Sequence, residues 1–155
     1  MRTVRTCYAR MLVSLLLASP IVAQSQDTAM SAISGQWVTE GFGAIVQIRP
    51  CKAGSSELCA DLVWAWDAER VKPNAFDRPM LWGGYFDSKS WQGVRLQNPM
   101  DGRRYRGEIH QLDANRLRLK GCVAKILCKS QLWWRLAALP HVAGIPSESE
   151  ARDRF

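Results

Sequence analysis

From Arg103 to Lys120 the chain alternates between apolar and polar residues in a way that suits a strand and not a helix. Tyr105, Gly107 and Ile109 share one face, and Arg104, Arg106, Glu108 and His110 share the other. After a reversal at Leu112 to Asn115, Arg116, Arg118 and Lys120 alternate with Leu117 and Leu119. A period of two marks a sheet with one buried and one wetted face. The run opens on Asn98-Pro99-Met100-Asp101-Gly102, where Pro99 sets φ and Asp101-Gly102 favours a reversal. It ends in a loop bracketed by Cys122 and Cys128, then a last strand in which Leu132, Trp134 and Leu136 alternate with Trp133 and Arg135.

The remaining strands fit around that stretch. Gly35-Gln36-Trp37 begins the ordered part, with Trp37 as an amphipathic plug for one end of the core. Ala44 to Arg49 reads as a strand, Lys52 to Glu57 as a hairpin loop, and Leu58 to Trp66 as the returning strand. Strict alternation puts Leu62, Trp64 and Trp66 on one face of it, opposite Asp61, Val63 and Ala65. Asp67 to Arg78 is a loop, Pro79 to Gly84 a compact apolar turn, and Trp91 to Gln97 another strand. No long amphipathic helix interrupts Gly35 to Leu136. Short strands and tight turns point to an antiparallel sheet closed into a small barrel, with a two-sheet sandwich as the alternative.

The ends read differently. Arg2, Arg5 and Arg10 precede the apolar run Met11 to Val22, and Ile21-Val22-Ala23 offers a small-residue cleavage site. Residues 1–23 are therefore expected to be a secretory signal peptide, with the protein periplasmic or secreted after cleavage near Ala23. The apolar run is short for a bilayer span, and no transmembrane segment is expected in the mature chain. Residues 24–32 read as a flexible leader, 33–138 as one domain, and 139–155 as a mobile polar tail with a short helix around Ser147 to Asp153. Loss of the three leader arginines takes the formal charge from +7 to +4, a mild excess that does not single out nucleic acid.

Cys7 leaves with the leader, and Cys51, Cys59, Cys122 and Cys128 remain. An even count after export reads as two disulfides. Three pairings are possible; Cys51–Cys59 and Cys122–Cys128 are favoured because each pair flanks a short loop between strands. Zinc is the rival, but both spacings are wider than a usual zinc knuckle.

No H-E-x-x-H, phosphate loop or G-x-S-x-G elbow is present, and His110 and His141 are far apart in sequence. Asp61, Asp87, Asp101 and Glu108 show no spacing that identifies an acid/base pair. No catalytic residue, metal site or cofactor is expected. The leading expectation is a binding or interaction module that holds a small amphiphilic ligand in a barrel mouth. Trp64, Trp66, Trp82, Trp91 and Trp133 would supply apolar contact and Arg135 a polar anchor. The second is an envelope-associated structural protein whose basic sheet face, Arg104, Arg106, Arg116, Arg118 and Lys120, meets an anionic polymer or partner. A hydrolase is the third.

The order and spacing of several segments resemble the DUF2147 family of small exported bacterial proteins. They are Gly35-Gln36-Trp37, Leu58 to Trp64, Trp91-Gln92-Gly93, Asn98 to Tyr105, Gly121-Cys122-Val123, and Cys128 to Arg135. Together they span roughly Ile33 to Leu136. Three positions depart from the family's usual pattern: Ala60 and Ala124 replace glycines, and Gln97 replaces a frequent tyrosine. The resemblance implies an exported small β-barrel and bears on export and fold more than on activity. The fold expected is all-β, a lipocalin-like or calycin-like barrel.

Overall fold

The computed structural model describes residues 21–124, 126–140 and 145–152. The expected signal segment lies outside the described residues up to position 20, as does His141. Nine strands follow helix α1 (Ile21–Ile33): β1 (Gly35–Val38), β2 (Ala44–Pro50), β3 (Leu58–Ala65), β4 (Leu81–Gly83), β5 (Tyr85–Phe86), β6 (Trp91–Gln97), β7 (Arg104–Asp113), β8 (Arg116–Val123) and β9 (Leu127–Arg135). A short helix α2 (Glu148–Arg152) ends the described chain.

Consecutive strands pair antiparallel except β4 and β5, and two further pairings close the sheet, β9 on β1 and β4 on β6. β4 and β5 run along the same edge of β6 and act as one bent strand. The bend falls at Gly83 and Gly84, whose φ of 77° and 89° suit glycine. The result is an eight-stranded antiparallel barrel, which removes free sheet edges. The region read as an apolar turn thus supplies a barrel strand. Both expected disulfides form, Cys51–Cys59 at the neck of the β2–β3 hairpin and Cys122–Cys128 across β8 and β9.

The two barrel ends differ. Loops 51–57, 87–90 and 114–115 surround one end, together with the last turn of α1. That end is filled. Trp37, Ile48, Leu58, Ala60, Leu81, Trp91, Val94, Ile109 and Leu117 meet in one core, and Ala29, Met30 and Ile33 enter it from α1. The segment read as a flexible leader is therefore mostly helical. Ala29, Met30 and Ile33 lie at helical spacing and cover the barrel floor, so burial orders a segment whose local pattern was weak.

Arg135 locks this end. Its guanidinium lies 4.3 Å from the Trp37 ring centroid. Its Nε–H donates to the Ala114 carbonyl (2.8 Å), Nη1 to Ser34 (3.0 Å) and Nη2 to Ala32 (2.7 Å). One side chain thus ties β9, the β7–β8 turn and the end of α1. Trp37 Nε1–H donates to the Ile33 carbonyl at 2.8 Å, which gives the plug expected from sequence its polar partner. A Cβ on Gly35 would sit 3.0 Å from Arg135 Nη1, at a φ of +123°, so glycine leaves room for the clamp.

A second cluster covers the outer barrel wall. Val38, Ile45 and Val63 are buried there with Leu136, Ile145 and Ala151, and Leu139 and Trp64 pack against them. The tail keeps its expected short helix, but Ile145 and Ala151 dock and are not left in solvent.

Two variants test these contacts. Arg135→Gln removes charged donors from three carbonyls and the cation from Trp37. It is expected to lower stability by about 2–4 kcal/mol in urea unfolding, with Arg135→Lys recovering only part of the loss. Ala124, at the β8–β9 turn, holds a φ of 50° that favours glycine. Ala124→Gly is expected to raise stability by roughly 0.5 kcal/mol, the relief of left-handed strain less the added chain entropy. A lower melting temperature for that variant would contradict the strain assignment.

Candidate functional site

The other half of the barrel is hollow. Loops 39–43, 66–80 and 98–103 and the β8–β9 turn residues 124 and 126 surround its mouth. A cavity of about 870 Å³ opens there. Leu62, Met80, Leu96, Leu119 and Trp133 form apolar walls, with Tyr105 alongside. Small inward residues create the space. Ala44 pairs with Ala65 across β2 and β3, and Gly121 pairs with Lys129 across β8 and β9. The equivalent rows at the closed end carry Ile48, Leu58 and Trp91 and leave little room.

Polar groups are few and staged along β9. Trp133 Nε1–H donates to Gln131 Oε1 at 3.2 Å, which holds the amide of Gln131, a lining residue, in place. Two residues nearer the mouth, Lys129 lines the same wall. It has no carboxylate partner among the described residues. Glu40 and Asp67 lie on rim loops, where Asp67 is 3.5 Å from Arg70. Gln97 also lines the cavity, so the departure from tyrosine noted in the sequence falls at the site itself.

Of the tryptophans expected to contact ligand, the cavity brings together Trp66 and Trp133. Trp91 is buried in the closed-end core, 5.8 Å from Phe86 between ring centroids. Trp82 alternates with the inward Leu81 and pairs with Cys59 and Arg95 on the outer face. Trp64 is turned outward by a β-bulge. Ile45 pairs with Trp64 while the next residue, Val46, pairs with Leu62, so Val63 and Trp64 both fall on the outer wall. Ala65 then faces the lumen in place of a tryptophan. Arg135 is committed to the closed-end clamp, far from the mouth. Sequence reading passed over Gln131 and Lys129; both lie on the Trp133 parity of β9, which is the signal that identifies them.

The basic face divides in two. Lys120 Nζ is 3.2 Å from Glu108 Oε1 and Arg116 Nε is 2.6 Å from Asp113 Oδ2. Arg104, Arg106 and Arg118 form no ion pair among the described residues, and neither does Arg95, which pairs directly with Arg106 across β6 and β7. Partial burial works to raise the Glu108 pKa, but hydrogen bonds from Lys120 and His110 outweigh it and hold the carboxyl below its ordinary range.

The remaining acids are engaged structurally. Asp61 is buried and bonds Arg49 at 2.6 Å. Asp87 accepts the backbone N–H groups of Lys89 and Ser90, which lower its pKa. Asp101 accepts the Arg103 N–H at 2.9 Å in its turn. Among the described residues no three metal-ligating side chains cluster, and no helix is long and apolar enough to cross a membrane.

Comparison with curated proteins returns no match. Among solved structures, the chain is similar to protein HP1028 from Helicobacter pylori, described as belonging to the lipocalin family. The two are 18% identical, with a TM-score of 0.54 over 68% of this chain and 83% of that one. That likeness concerns the fold and agrees with the eight-stranded barrel. The model of DUF2147, described as an uncharacterized protein conserved in bacteria, matches residues 35–135, and with that span the chain belongs to the DUF2147 family.

Proposed function

We propose that this barrel is a binding module for a small amphiphilic molecule, with the apolar part held in the open half and the polar end at the mouth. The observation that carries the reading is the cavity itself. Its volume of about 870 Å³ falls in the range of small-molecule sites, and its walls are apolar with few polar groups. The fold is that of a barrel related in structure to a lipocalin, which is consistent with such a role.

The order of donors along β9 supports a direction for the ligand. Trp133, Gln131 and Lys129 line the cavity in sequence toward the mouth. A ligand whose polar end carries hydrogen-bond acceptors fits there, with its apolar part against Leu62, Leu96 and Leu119. Trp66 and Trp133 are its aromatic contacts. The two disulfides support a protein that works in an oxidising compartment, the periplasm or the exterior, as the N-terminal segment suggests.

Titration with 1-anilinonaphthalene-8-sulfonate tests the reading. Saturable one-to-one binding with enhanced emission is expected. Ala65→Phe fills the lumen and is expected to weaken binding about tenfold, or ~1.4 kcal/mol. Trp82→Phe lies outside the cavity and should leave the affinity unchanged. Absence of saturable binding, or equal affinity for the Ala65→Phe variant, would overturn the proposal.

A further inference from the structure

The tip of the β8–β9 hairpin presents large aliphatic side chains to solvent. Val123 is 42% exposed, Ile126 82% and Leu127 73%. Loop tips on a water-facing surface are ordinarily polar. Here the Cys122–Cys128 disulfide joins the two strands immediately below the tip. The crosslink limits how far the tip can fold back over its own barrel.

This tip stands at the open end. Trp66 and Phe76, also exposed, lie on the β3–β4 connection at that end, while Phe42 stacks on Trp134 lower on β9, at 6.3 Å between ring centroids. Tyr85 and Leu112 are the other exposed large apolar residues on the described surface. Single exposed apolar residues need no explanation, but three within five positions of one hairpin tip do.

Cations flank the tip. Arg106 pairs with Cys122, Arg104 lies two residues nearer the mouth on β7, and Arg95 faces Arg106 from β6. All three are exposed and form no ion pair among the described residues. Like charges directly opposite on a sheet repel. Farther toward the closed end the same sheet neutralises its cations, Lys120 with Glu108 and Arg116 with Asp113, although Arg118 has no such partner. The unneutralised charge is thus concentrated beside the apolar tip.

We infer that the β8–β9 tip, with Arg95, Arg104 and Arg106, is a docking surface for an anionic lipid bilayer. Ile126 and Leu127 enter the acyl boundary while the three guanidinium groups meet lipid phosphates. Apolar insertion beside a cationic collar is the combination that holds a protein at a charged membrane surface. A soluble polyanion would satisfy the arginines but give no role to the exposed aliphatic tip. Asp101, on the β6–β7 loop, is 3.7 Å from Arg103, and Glu40 and Asp67 sit on the β1–β2 and β3–β4 loops, away from the tip. Docking does not depend on what the cavity holds.

Sedimentation with vesicles tests this, using the protein as it accumulates in the cell. Vesicles of phosphatidylcholine with one-third phosphatidylglycerol are expected to bind it, and pure phosphatidylcholine to bind it far less. The double variant Ile126→Ser, Leu127→Ser is expected to lose about tenfold or more in partitioning. Arg104→Gln with Arg106→Gln is expected to lose about thirtyfold, from two near-surface cations. These side chains are exposed, so melting temperatures near that of the wild type are expected. Equal binding to both vesicle types, or undiminished binding by the Ser variant, would overturn the proposal. So would a soluble polyanion that binds both the wild type and the Ser variant with equal strength while vesicles bind neither.

Discussion

The barrel depends on the seam between its first and last strands. β1 and β9 share only two register pairs, Trp37 with Arg135 and Val38 with Trp134. So short a ladder needs support from side chains, and Arg135 supplies it. Its guanidinium covers the Trp37 ring and donates to three carbonyls on two other segments, the β7–β8 turn and the end of α1. A lysine has neither the planar fork nor enough fixed donors to reproduce this arrangement. The carbonyls of Ala32 and Ser34 belong to the end of α1 and the residue after it. The same contact therefore closes the barrel wall and holds the helix that plugs its floor.

A firm floor permits an empty mouth. The closed half contains tryptophan and branched aliphatic residues on inward positions, and burial there stabilises the whole domain. The open half substitutes Ala44, Ala65 and Gly121 on equivalent inward positions. One sheet consequently carries two packing densities. The hydrophobic effect is concentrated at one pole, and the apolar walls at the other enclose open space. The chemistry of the mouth is set by Gln131, Lys129 and Gln97.

Much of this was legible in the chain, for local reasons. The alternation from Arg103 to Lys120 is a direct record of a half-wet sheet, and its inward and outward sets are those of β7 and β8. The cysteine pairs flank short loops, so proximity in sequence revealed proximity in space. The site was harder to read. One bulged residue, Val63, turned Trp64 away from the lumen, and strict alternation cannot register an insertion. Arg135 looked like a ligand anchor because its partners Ala32 and Ser34 are 103 and 101 residues away in the chain. The cavity was invisible for a related reason. An inward alanine opens space only when the residue opposite it is also small, and that is a property of register. The helical leader carried too few buried residues, Ala29, Met30 and Ile33, to declare itself without the floor they cover.

The most direct test of a solid floor beneath a hollow mouth is a methyl chemical-shift titration with dodecanoic acid. Leu62, Leu96 and Leu119 face the cavity, whereas Val94, Ile109 and Leu117 belong to the packed half. Saturating shifts at the first three methyl sets, with the second three nearly unmoved, are the predicted result. Shifts confined to surface methyls, or spread equally through both sets, would contradict the account.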